Sequence, residues 1–228
     1  MKKKALIVVT SVEKYPDMER ATGLWLGEAV HFYEKLEEKG YEIDFVSPKG
    51  GYTPLDPISL QMFVQPVDWK YYADETFRNK LGNTLQPNDI DPKDYNVIYY
   101  AGGHGVVWDF PDNAELQEIA RSIYENGGIV SSVCHGAVGL FNIKLSSGKL
   151  LIEGKTVTGF SNSEEISAEL ADHMPYLTED VLKSKGAHYV KADQDFIPFA
   201  ITDGNLVTGQ NPQSGAAVAE KVLEILEK

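Results

Sequence analysis

A chain of 228 residues, 43% of them apolar, can bury a substantial core and fits one α/β domain over residues 1–228. Its formal net charge of −13 is spread along the chain, which excludes sequence-independent nucleic-acid binding, because that binding needs clustered Lys and Arg. A single cysteine excludes an internal disulfide, and the apolar run Ala5 to Val9 is too short for a signal peptide or membrane span, so a cytoplasmic protein is expected.

Ala5 to Thr10 is a continuous apolar run, as expected for a strand covered on both faces. From Thr22 to Lys39 apolar residues recur at helical spacing, and Gly40 supplies a stop. Ile43 to Ser47 reads as the next strand, so the pattern is βαβ and implies a parallel sheet with right-handed crossovers.

Residues 47–94 break that rhythm. They are rich in proline, asparagine and aromatics, with helical patches around 58–64 and 74–82. So long a connection is usually functional, and an inserted cap over a site is expected, with a dimer contact or a plain insertion as alternatives.

The sheet resumes at Val97 to Tyr100, followed by Ala101-Gly102-Gly103-His104-Gly105, a helix over about 113–125 and a strand over 129–133. Residues 156–160 read as a further strand and 163–171 and 178–185 as helices, before a strand-like 187–190. Residues 199–209 form a hairpin with Asp203-Gly204 as its turn, and 213–226 is a final helix.

Cys134 ends the apolar strand and is followed by His135-Gly136-Ala137. Strand, sharp turn with one reactive side chain, then helix is the geometry of a nucleophile elbow, with Ser132 in place of the first glycine. A thiol at a helix N-terminus is expected to favour thiolate, and the bland alternative is a small buried hydrophobe.

Gly102-Gly103-His104-Gly105 follows a strand, where backbone N–H groups can approach a reacting oxygen; otherwise it is an ordinary turn, without dinucleotide or Walker spacing. Glu28 has Leu24, Trp25 and Phe32 around it, so its carboxyl would be buried, raised in pKa and able to shuttle a proton; the alternative is a solvated helix glutamate. His135 could partner the thiol, although adjacent side chains on a turn rarely face each other, and Glu164 or Glu165 could orient it. His31, His104, His173 and His188 are scattered, there is no second cysteine, and no structural zinc or other metal is expected.

Taken together, these motifs resemble the ThiJ/PfpI superfamily. They comprise Thr-Gly-x-x-x-x-Glu at 22–28, Ala-Gly-Gly-His-Gly at 101–105 and Val-Cys-His-Gly at 133–136. Further on are Leu-Leu-Ile-Glu-Gly-Lys at 150–155, Thr-Gly-Phe at 158–160 and Thr-Asp-Gly-x-Leu-Val-Thr-Gly-x-Asn-Pro at 202–212. The likeness is greatest to the branch of glutathione-independent glyoxalases and small heat-inducible chaperones.

That resemblance implies a flavodoxin-like α/β fold, an open and mostly parallel sheet sandwiched by helices, and a homodimer. It implies Cys134 as nucleophile, Glu28 as the carboxyl bonded to it, His135 as second member and Glu165, five residues after Phe160, as the acid partner of the histidine. Gly103 and His104 would supply backbone donors to the reacting oxygen. The implied reaction turns methylglyoxal, or a similar small 2-oxoaldehyde, into lactate with no cofactor.

The rivals are a cysteine peptidase or amidase-like hydrolase, a protein deglycase, and a stress holdase that binds unfolded clients through aromatic-rich 52–72. Glutamine amide transfer is disfavoured, because the late His188 is followed by Tyr189 and Val190 and lacks the expected His-x-Glu pair.

Overall fold

The computed structural model describes residues 3–227. In chain order the elements are β1 (Lys4–Val8), α1 (Leu26–Glu38), β2 (Glu42–Val46), α2 (Pro66–Ala73), α3 (Glu75–Gly82), β3 (Val97–Tyr100), α4 (Val106–Asp109) and α5 (Ala114–Glu125). They continue as β4 (Ile129–Val133), β5 (Thr156–Val157), α6 (Asn162–Ser167), α7 (Thr178–Ser184), β6 (His188–Tyr189), β7 (Ala200–Asp203), β8 (Leu206–Gly209) and α8 (Gly215–Leu226).

Six strands form one sheet in the order β2-β1-β3-β4-β8-β7, parallel except for the edge strand β7. β1 shows why such a sheet buries both faces. Ala5 and Ile7 pack with Phe32 and Leu36 of α1 and Val222 of α8. Leu6 and Val8 pack with Leu116, Ile119 and Ile123 of α5 on the other side. A strand apolar on both faces is stable only between two helix layers, which the alternation of elements provides. Phe32 stacks on Tyr99 with centroids 3.8 Å apart, and the Tyr99 hydroxyl donates to the Glu28 carbonyl at 2.9 Å, fixing α1 against the sheet. No helix among the described residues is long and apolar enough to cross a membrane.

Several elements differ from the sequence reading. The first helix starts at Leu26 instead of Thr22, because the preceding residues run extended against the inserted segment. Leu24 N–H donates to Pro54 carbonyl, Asp56 N–H donates to Leu24 carbonyl, and the Thr22 hydroxyl donates to the Asp56 carboxylate. Only Thr156–Val157 of the expected 156–160 strand is regular, and it pairs with β6 in a separate two-stranded sheet. The next residues turn inward, where Thr158 N–H meets the Thr208 hydroxyl and Phe160 N–H donates to the Cys134 carbonyl. The segment after Cys134 is a 3₁₀ turn over Cys134–Leu140, not an α-helix.

Within 47–94, α3 matches the expected patch at 74–82, whereas 57–60 is a single 3₁₀ turn and α2 carries no clear apolar periodicity. Tyr71 and Phe77 pack this segment onto Tyr33 of α1, while Tyr52, Phe63, Trp69 and Tyr72 remain exposed. Phe63, although partly exposed, also packs against Trp25 and Phe196.

Candidate active site

Parallel strands β3 and β4 are neighbours, so the turns at their carboxyl ends meet. Cys134 leaves β4 with φ +56°, a left-handed conformation that costs a non-glycine residue energy and needs surrounding packing to hold it. Gly136 allows that packing: a Cβ there would lie 2.1 Å from the Tyr100 carbonyl oxygen. Gly103 is constrained likewise, with φ +103° and a Cβ position only 2.2 Å from the Gly23 oxygen.

The left-handed turn brings adjacent side chains together, against the general expectation for neighbours. His135 Nδ1 lies 3.4 Å from Cys134 Sγ. On its far side Nε2 sits 2.6 Å from Glu165 Oε2, and His104 Nε2 is 2.9 Å from Glu165 Oε1. We assign the His135 proton to Nε2, since a carboxylate accepts, which leaves a lone pair on Nδ1 facing the thiol. Burial pushes the His135 imidazolium down, opposed by the Glu165 charge, so the ring is neutral and fit to accept. Burial alone would raise the Glu165 carboxyl, but the two imidazoles hold it well below the usual carboxylate range.

Glu28 is fully buried. Its Oε2 accepts the Gly102 N–H at 2.7 Å, Oε1 has no hydrogen-bond partner among the described residues, and the carboxyl lies beside the Cys134 thiol. Burial raises this carboxyl to about 8, against the opposing pull of the Gly102 N–H. Burial, and then the Glu28 charge, also push the Cys134 thiol well up.

The expected helix-terminus thiolate is thus corrected. Desolvation outweighs the N–H of His135, and a 3₁₀ turn replaces the α-helix. Around neutral pH the pair holds two protons; above about 8 it holds one.

The glycine loop divides its donors. Gly102 N–H is given to Glu28, whereas among the described residues the Gly103 and His104 N–H groups go to no protein acceptor. The side chain of His104 had no role in the sequence reading, yet it shares Glu165 with His135, and the two rings lie 4.2 Å apart. The histidines are therefore not all scattered; a bond spanning 61 residues is invisible to spacing. His104, His135 and Glu165 offer ligand atoms within 4.8 Å of one another, a set that could hold a metal ion; here ring–carboxylate hydrogen bonds hold it together.

Above these groups lies a cavity of about 250 Å³. Gly103, His104, Cys134 and His135 form its base, Trp25, Phe160 and Phe196 its walls, and Ile58, Met62 and Phe63 of the inserted segment its far side.

Glu164, the other candidate orienter of His135, does something else. Its Oε2 accepts from the Ser161 N–H and hydroxyl, and its Oε1 accepts from Phe196 N–H and Asn211 Nδ2, each at 2.9 Å. It thereby brackets Phe196, which has φ +58°, into the cavity wall. Glu164→Gln would replace one acceptor with an amide N–H that faces a buried donor. A loss of about 1–3 kcal/mol in denaturant unfolding is expected; unchanged stability would contradict this bracket.

The model of the DJ-1/PfpI family matches residues 21–225. A Candida albicans protein, Glyoxalase 3, is 35% identical, with 98% of each chain covered. A glutathione-independent glyoxalase of Saccharomyces cerevisiae is 34% identical over 99% of this chain and 98% of its own. The crystal structure of glyoxalase III from Candida albicans superposes with a TM-score of 0.91 at 34% identity, covering 97% of this chain and 96% of that one.

Proposed function

The chain belongs to the DJ-1/PfpI family, and on that premise we propose that it is a glutathione-independent glyoxalase that converts methylglyoxal and similar 2-oxoaldehydes to 2-hydroxy acids through Cys134. The observation that carries this reading is the buried carboxyl of Glu28 beside the thiol, raised to about 8. A Cys134–His135–Glu165 arrangement alone would suit a peptidase or amidase as well. Hydrolysis has no carbon-bound proton to move, whereas glyoxalase chemistry needs a base of Glu28's kind above the substrate.

The steps follow from the geometry. His135 Nδ1 takes the thiol proton as Sγ adds to the aldehyde carbon, and returns it to the new oxyanion to give a hemithioacetal. Glu28 as carboxylate removes the C1 proton. The N–H groups of Gly103 and His104 support charge on the C2 oxygen of the enediolate. Protonation of C2 by Glu28, with transfer of the O1 proton to O2 by His135, leaves a 2-hydroxy thioester. Water then cleaves the thioester with His135 as base, so that one methylglyoxal and one water become lactic acid. Glu165 holds the His135 tautomer throughout.

Residues 47–94 act in this reading as a cap, which Ile58, Met62 and Phe63 support by closing the cavity. A cytoplasmic homodimer is the assembly and location we assign. A second reading has one specific support: Met62, Phe63, Trp69, Tyr72, Ile166 and Ile197 are exposed, as a holdase surface requires.

Saturating methylglyoxal should protect Cys134 from iodoacetamide, read by intact mass, while acetone should not. Alkylation at an unchanged rate would rule out aldehyde addition at Cys134.

A further inference from the structure

The cavity has room beyond the substrate that defines the reaction. Its volume is about 250 Å³, and methylglyoxal has only five heavy atoms. Once an aldehyde carbon sits on Cys134, the substituent beyond the second carbonyl must occupy the remainder. What lines that remainder is aromatic and apolar, from Trp25, Phe63, Phe160 and Phe196. Phe196 stacks with Phe63 at 5.9 Å and contacts Phe160 at 6.2 Å, so these rings form a continuous wall.

One cationic side chain interrupts this surface. Arg20 lines the cavity, and among the described residues no carboxylate lies within ion-pair distance of it, in a chain with 34 acidic residues against 21 basic. The acids lining or flooring the cavity are already engaged. Asp56 accepts from Ile58 N–H and the Thr22 hydroxyl, and Glu165 accepts from His104 and His135.

The Arg20 backbone is also held in place. Tyr15 N–H donates to the Arg20 carbonyl and Thr22 N–H to the Glu13 carbonyl, closing a hairpin-like turn. The guanidinium lies 5.5 Å from the Tyr15 ring, which in turn contacts Trp108 and His104. A planar guanidinium without an ion-pair partner, beside an apolar wall, matches an anion carried at the end of an apolar group.

We propose that Arg20 makes this cavity selective for 2-oxoaldehydes whose carbonyl substituent is apolar or aromatic and ends in an anion, of which a carboxylated arylglyoxal is the simplest form. The proposal rests on the glyoxalase reading of Cys134 and adds the substrate class. The covalent chemistry is unchanged: one oxoaldehyde and one water give one 2-hydroxy acid, with no oxidant or reductant.

The experiment compares kcat/KM for 4-carboxyphenylglyoxal and for phenylglyoxal, in wild type and in Arg20→Gln, with Arg20→Lys as the charge-retaining control and circular dichroism to verify folding. Wild type should prefer the carboxylated substrate at least tenfold, and the preference should shrink with salt. Arg20→Gln should bring the ratio to about one, and Arg20→Lys should retain part of it. A ratio near one in wild type, or a ratio unchanged in Arg20→Gln, overturns the proposal.

A second readout does not depend on turnover: the rate at which Cys134 is alkylated by N-phenyl iodoacetamide with and without a para carboxylate. If no glyoxal is turned over but the carboxylated reagent still reacts faster in an Arg20-dependent way, the glyoxalase reading fails and the anion subsite stands. If methylglyoxal is turned over and neither comparison shows a charge preference, the subsite fails alone.

Discussion

Glu28→Gln should lower lactate formation by about 10³-fold while Cys134 still adds one methylglyoxal. The amide can accept the Gly102 N–H as the carboxylate does, so the turn survives, but it cannot take the proton from C1. Native intact-mass spectrometry of the variant, with methylglyoxal present, should show the aldehyde adduct with little lactate. Unchanged lactate would remove Glu28 from the mechanism.

The same residue sets two pH effects. Because the active pair holds one proton, kcat/KM of the wild type should rise with pH along an acid limb near 8. Burial moves Glu28 from 4.5 to about 8, so between those values the folded chain binds a proton that the unfolded chain has released. The fold is therefore weakened as pH climbs through that window, on the order of 5 kcal/mol by its top. Stability measured against pH should fall less steeply in Glu28→Gln than in wild type; parallel curves would contradict the buried, protonated carboxyl.

Glu165→Gln should be nearly as damaging, lowering kcat/KM by about 10²–10⁴-fold. The carboxylate accepts two ring N–H groups at once, and glutamine offers one acceptor and one donor. Either His135 or His104 would then face an N–H. His135 in the other tautomer would present N–H, not a lone pair, to the thiol. Kinetics with methylglyoxal test this, and a loss smaller than threefold would show that His135 needs no acid partner.

Much of this could be read along the chain, for local reasons. Residues 5–8 are apolar at every position, which only a strand between two layers tolerates. Asp203-Gly204 marks the hairpin β7–β8, and the change from Val133 to Cys134-His135-Gly136 marks the elbow. What escaped depends on distance or on burial. Thr158 and Phe160 leave strand geometry because partners on β8 and at Cys134 draw them inward. The approach of His135 to Cys134 needs φ +56° at the cysteine, and the His104 bond to Glu165 spans 61 residues that include α5, β4 and β5. The thiol shifts opposite to the sequence expectation because dipole arguments are local, while desolvation depends on everything packed around the sulfur.

The most direct measurement of the central claim is lactate produced from methylglyoxal by glutathione-free, chelator-treated protein, with folded Cys134→Ala alongside. The account predicts one lactate per methylglyoxal consumed by the wild type and none above background from the variant. Equal lactate from both proteins, or methylglyoxal consumed by the wild type without lactate, would contradict it.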